Sequence, residues 1–88
     1  MASTRKARVA VYHAPGCHLC ERAVEQVREF QQELGFELEL VDISGDAALE
    51  AEYREWLPVV EIDGRRRFTY FVQPEPFRRA VAQATAEA

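Results

Sequence analysis

The chain is patterned for a layered α/β fold: a four-stranded mixed sheet flanked by helices, in the order β-α-β-α-β-β-α. A short apolar run, Val9-Ala10-Val11-Tyr12, leads into a helical stripe and then into an alternating segment. Asp63-Gly64 stands between two further extended segments. Pro74 and Pro76 open a last helical pattern. A strand–helix–strand unit with short connections makes a right-handed parallel crossover, whereas Asp-Gly between strands makes an antiparallel hairpin, so the sheet is mixed.

Val9 to Tyr12 has no polar alternation, as expected of a central strand covered on both faces. Pro15-Gly16 then breaks the chain. From Cys17 onward, Leu19, Ala23, Val27, Phe30 and Leu34 recur at steps of four, four, three and four. Glu21, Arg22, Glu25, Gln26, Arg28 and Glu29 lie between them, which makes an amphipathic helix. Gly35 falls where a left-handed cap ends such a helix. Phe36, Leu38 and Leu40 alternate with Glu37 and Glu39 and run into Val41-Asp42-Ile43, a strand whose one-sided charge suits a sheet edge. Ser44-Gly45-Asp46 offers N-caps for a second helix with Leu49, Tyr53 and Trp56 as its apolar positions. Trp56 reads as a core aromatic at the helix end, and the alternative places it at the border of the active site. Leu57-Pro58 closes that helix, since the residue before proline avoids helical angles. Val59 to Ile62 and Phe68 to Phe71 are the hairpin strands, with Tyr12, Phe68 and Tyr70 expected in the core. The last helix carries Phe77, Ala80, Val81 and Ala84 inward.

Eighty-eight residues make one small domain, read here as residues 8–88 behind a flexible tail, 1–7. With 48% hydrophobic and 30% charged residues the composition is globular. Fifteen acidic residues against eleven basic leave a net charge of −4, which argues against nucleic acid and anionic membrane as partners. Arg65-Arg66-Arg67 accordingly reads as a solvated sheet edge. No stretch approaches the ~18 apolar residues of a membrane span, and the basic start has no apolar run of signal type behind it. A cytoplasmic location is expected.

Chemistry concentrates in Cys17-His18-Leu19-Cys20. Two cysteines placed at random in this length would be three apart only about 2% of the time, so the spacing calls for a reason. Cys17 falls at the first turn of the helix, where unpaired N–H groups and the dipole favour an anion such as a thiolate, the form that attacks disulfides. Cys20 lies nearly one turn along on the same side. It can resolve a mixed disulfide formed at Cys17, leaving an internal disulfide. Two alternatives stand beside this reading. Both cysteines can be small buried residues. With His13 and His18 nearby, the pair can also serve a zinc or iron–sulfur module, although no second ligand pair exists elsewhere. A redox-responsive interaction domain with negligible turnover is a further form of the same chemistry. No metal site is expected. Asp42, near the end of its strand, is a candidate buried carboxylate for helping proton transfer from Cys20.

Two stretches, Val11-Tyr12-His13-Ala14-Pro15-Gly16-Cys17-His18-Leu19-Cys20-Glu21-Arg22-Ala23 and Leu57-Pro58-Val59-Val60-Glu61-Ile62-Asp63-Gly64, resemble the short, divergent glutaredoxin-like proteins of the thioredoxin superfamily. The resemblance implies a thioredoxin-like fold across nearly the whole chain and a thiol–disulfide oxidoreductase activity, with Cys17 as nucleophile and Cys20 as resolving thiol. It implies a cis peptide bond at Pro58, with Leu57 and Pro58 presenting backbone to substrate. It also implies thiolate-tuning roles for Arg22 and, if protonated, for His18. The expected partners are a disulfide-containing protein or small thiol, with glutathione or a reductase as electron donor. No resident cofactor is implied, glutathione entering only as a co-substrate. The chain departs from the family pattern in three places. His18 and Leu19 replace Pro and an aromatic inside CxxC, and Ala14 stands where Lys is common. Val72-Gln73-Pro74-Glu75-Pro76 replaces the Gly-Gly and acidic residue of the glutathione site.

Overall fold

The computed structural model describes residues 6–86. Its strands are β1 (Arg8–His13), β2 (Glu37–Asp42), β3 (Val59–Ile62) and β4 (Arg65–Thr69). Its helices are α1 (His18–Leu34), α2 (Ala47–Tyr53) and α3 (Pro74–Ala86), with a 3-10 turn, Arg54–Trp56, after α2. The sheet order is β2-β1-β3-β4. β1 and β2 run parallel from Arg8↔Glu37 to His13↔Asp42, and β3 is antiparallel to both β1 and β4. The mixed sheet and the order of elements are those expected.

One face of the sheet carries most of the core. Val9 and Val11 from β1 and Val60 and Ile62 from β3 pack with Ala23, Val27 and Phe30 of α1. Phe77, fully buried on α3, lies against Phe30, Phe36 and Phe68 with ring centroids 4.9, 5.7 and 5.9 Å away. The other face is covered in part by α2, whose Tyr53 stacks on Tyr12 of β1 at 4.0 Å. Glu37 and Glu39 are exposed on edge strand β2, as their alternation requires.

Four boundaries differ from expectation. The buried stripe of α1 begins at Cys20 rather than Leu19, which is only half-buried. Ala7 is buried and its carbonyl accepts the N–H of Glu37, so order extends into the segment read as a tail; residues 1–5 of that segment lie outside the described residues. α2 ends at Tyr53 and tightens into the 3-10 turn. The change of pitch carries Trp56 off the apolar stripe and leaves it 43% exposed, not in the core. β4 spans Arg65–Thr69 instead of 68–71, with a bulge where Val60↔Phe68 steps to Glu61↔Arg66. The cause is the two-residue turn. Asp63 and Gly64 both have positive φ, 51° and 80°, and set Ile62 directly opposite Arg65. Counted from there, β3 reaches its first residue, Val59, at Thr69. Tyr70 therefore leaves the sheet with φ 69° and is exposed, not core.

Candidate functional site

The Pro15-Gly16 turn after β1 makes Cys17 the N-cap of α1, with extended angles of φ −101° and ψ 103°. Its sulfur accepts the backbone N–H of Cys20 at 3.2 Å, the bond a Ser or Asp oxygen makes at most helix starts. That N–H and the helix dipole both favour a negative sulfur. Cys17 and Cys20 form a disulfide with Cα atoms 5.2 Å apart. Cys20 is 2% exposed, whereas Cys17 is half-buried, so a reagent from solvent meets Cys17 first.

Leu57 and Pro58, nearly forty positions away in sequence, arrive at the same place. Leu57 shares one apolar cluster with Ala14, Cys20 and Ile43, and Cys17 packs against it. The Leu57–Pro58 bond is cis, as the resemblance implies, and the Pro58 carbonyl accepts the N–H of Tyr70 at 3.0 Å. His18 and Arg22 are exposed on α1. Arg22 lines a groove of about 220 Å³ with Leu19, Gln26, Tyr70, Phe71 and Val72. Asp42 is exposed and accepts the Ser44 N–H at 2.8 Å, which holds its carboxyl below the usual range. It is not the buried carboxylate that a relay from Cys20 would need. Among the described residues no group of three or more His, Cys, Asp or Glu is arranged to hold a metal, and the metal-binding alternative is not favoured.

Beside the predicted residues the structure places two groupings that the sequence patterning did not suggest, although its alternative reading put Trp56 at the border of the active site. Trp56, Tyr70 and Phe71, respectively 43%, 38% and 68% exposed, lie just before β3 and just after β4. Tyr70 donates its hydroxyl to the Glu55 carbonyl at 2.8 Å and lies 6.3 Å from the Trp56 ring. On the α2 side, Glu61 accepts both the Tyr12 hydroxyl (3.2 Å) and the Tyr53 hydroxyl (2.8 Å). Burial and this carboxylate push the Tyr53 phenol well above its ordinary range, and burial raises that of Tyr12.

Residues 8–82 match the family described as a glutaredoxin-like domain (DUF836). The chain belongs to this glutaredoxin-like family. Over 75 residues the glutaredoxin-like chain is 36% identical to the uncharacterized protein Rv0508 of Mycobacterium tuberculosis, covering 80% of this chain and 77% of that one. The solution structure of protein Ne2328 from Nitrosomonas europaea superposes with a TM-score of 0.77 at 26% identity, over 92% of this chain and 98% of that one. Thioredoxin from Fasciola hepatica superposes with a TM-score of 0.62 at 20% identity, over 90% and 81%, a likeness of fold alone. The glutaredoxin-like chain thus has the thioredoxin-like α/β fold with a CxxC pair at the start of its first helix. Among the described residues no helix is long and apolar enough to cross a membrane.

Proposed function

We propose that this protein is a thiol–disulfide oxidoreductase. Cys17 attacks a disulfide and forms a mixed disulfide. Cys20 then displaces the bound thiol, and the internal disulfide that results is reduced again by an electron donor. The observation that carries this reading is the asymmetry of the pair: a half-buried sulfur at the helix N-cap, receiving an N–H bond, above a partner that is 2% exposed. Leu57 and Pro58 would offer backbone to the client beside the cysteines, and Arg22, with His18 when protonated, would add positive charge near the nucleophile. The client is a disulfide-containing protein or the disulfide of a small thiol, and the donor is glutathione or a flavoprotein reductase. Such a cycle belongs in the cytoplasm, where dithiols are kept reduced.

The test compares reduction of one small aromatic disulfide with glutathione and with a thioredoxin reductase as donor. Turnover with one of them, lost in Cys17→Ser, is the expected outcome. If Cys17→Ser turns over as fast as the parent with both donors, the catalytic reading is wrong.

A further inference from the structure

Cys20 has a proton to lose before it can resolve a mixed disulfide. At 2% exposure it is shielded from bulk water, and among the described residues no polar or charged residue is buried beside it. A group bordering the space next to Cys20 is placed to accept that proton. A groove of about 420 Å³ opens there, lined by His13, Ala14, Cys20, Val24, Arg28 and Leu40. Alternation along β1 places His13 on the same face as Val9 and Val11, the face that packs under α1. His13 is half-buried and is anchored by its carbonyl, which accepts the Ile43 N–H at 3.0 Å.

We infer that His13 accepts the Cys20 thiol proton in the resolving step. The inference rests on the oxidoreductase reading above. The charged groups around the groove are Glu21, Glu25 and Arg28 on α1, all exposed, and Asp42, opposite His13 on β2. Arg28 has no lone pair to offer. Carboxylates as a class, at about 4, lie much further from a thiol at about 8.5 than an imidazole at about 6.5, and acid–base catalysis is most efficient when the base is matched to the working pH. Asp42, the register partner of His13 on β2, places a negative charge on the same side as the imidazolium that results.

The Cys20 S–H proton moves to the imidazole. The Cys20 sulfur bonds to Cys17 Sγ, the bond between Cys17 and the client sulfur breaks, and the client leaves as a thiolate. Two electrons have then passed from the cysteine pair to the client disulfide, and the imidazolium returns its proton to solvent.

Ellman's reagent separates the two steps, since the reduced protein releases one coloured thiolate when Cys17 attacks and a second when Cys20 resolves. His13→Gln should leave the first release at the parent rate and slow the second by about 100-fold near neutral pH. The second release in His13→Gln should also rise about tenfold per pH unit, the slope of uncatalysed thiol ionisation, where the parent's is shallower. Added imidazole should restore the second release in His13→Ala. A second release in His13→Gln with the parent's rate and pH profile would overturn the assignment, as would equal slowing of both steps, the mark of a structural role. A parent protein that releases no thiolate through Cys17 would overturn the oxidoreductase reading itself, and this inference with it.

Discussion

A sulfur atom occupies the cap of α1 where an oxygen is usual, and that substitution ties local structure to reactivity. The Cys20 N–H that stabilises the helix start is the same donor that stabilises a charge on Cys17. A different economy governs Glu61, a single carboxylate serving two phenols at 3.2 and 2.8 Å. Both phenols are raised above their ordinary value by burial, and Tyr53 is raised further by its bond to Glu61. In the unfolded chain they ionise near the usual ~10, so above that pH the native state holds more protons than the unfolded one. The stability they confer is complete below pH ~10 and declines as pH rises past it. Tyr53→Phe removes one of the two shifted groups. It should cost about 1 kcal/mol at neutral pH and flatten the decline above about pH 10. Urea unfolding across that range measures both effects. A decline as steep in Tyr53→Phe as in the parent would contradict the assignment.

At the scale of elements, the end of α1 shows a clear local constraint. Gly35 has φ 75° and ψ 38°, and its N–H returns to the Gln31 carbonyl at 2.8 Å. A Cβ there would meet nothing within 4 Å, so the cost of Gly35→Ala is conformational rather than steric. A loss of about 1 kcal/mol in unfolding free energy is expected. An unchanged urea midpoint would place the cap elsewhere. Gly35 was legible because helix periodicity and glycine chemistry point to one position. The end of β4 was hidden because apolar pattern and turn geometry disagree there. Phe68-Thr69-Tyr70-Phe71 alternates like a strand, yet the register set by Asp63-Gly64 runs out at Thr69. Counting from the turn, rather than from the apolar run, would have placed Tyr70 and Phe71 outside the sheet. Trp56 was misplaced for a related reason. A helical wheel assumes constant pitch, and the chain tightens to a 3-10 turn at Arg54 before the cis bond.

On the scale of the whole molecule, the fold gathers at one end of β1 what the sequence scatters. The cap of α1 and Leu57 meet in the apolar cluster of Ala14, Cys20, Ile43 and Leu57, and the turn after β4 joins them through the Tyr70 N–H bond to the Pro58 carbonyl and the groove it shares with Leu19 and Arg22. The cysteine pair was legible because both members sit in one motif, and Pro58 because a family pattern marks it. His13 was legible as a neighbour of the pair, but not as bordering one groove with Cys20, since that depends on which face of β1 lies under α1. Nor was the Tyr12–Tyr53–Glu61 group, which needs three elements brought into register. The central claim is that this end of the molecule holds an attacking sulfur and a resolving one. Incubating the reduced protein with a disulfide client and separating the products under non-reducing, denaturing conditions tests it directly. Cys20→Ser should accumulate a mixed disulfide with the client, while Cys17→Ser should form none and the parent should carry only its internal disulfide. Equal trapping by both single variants, or by neither, would contradict it.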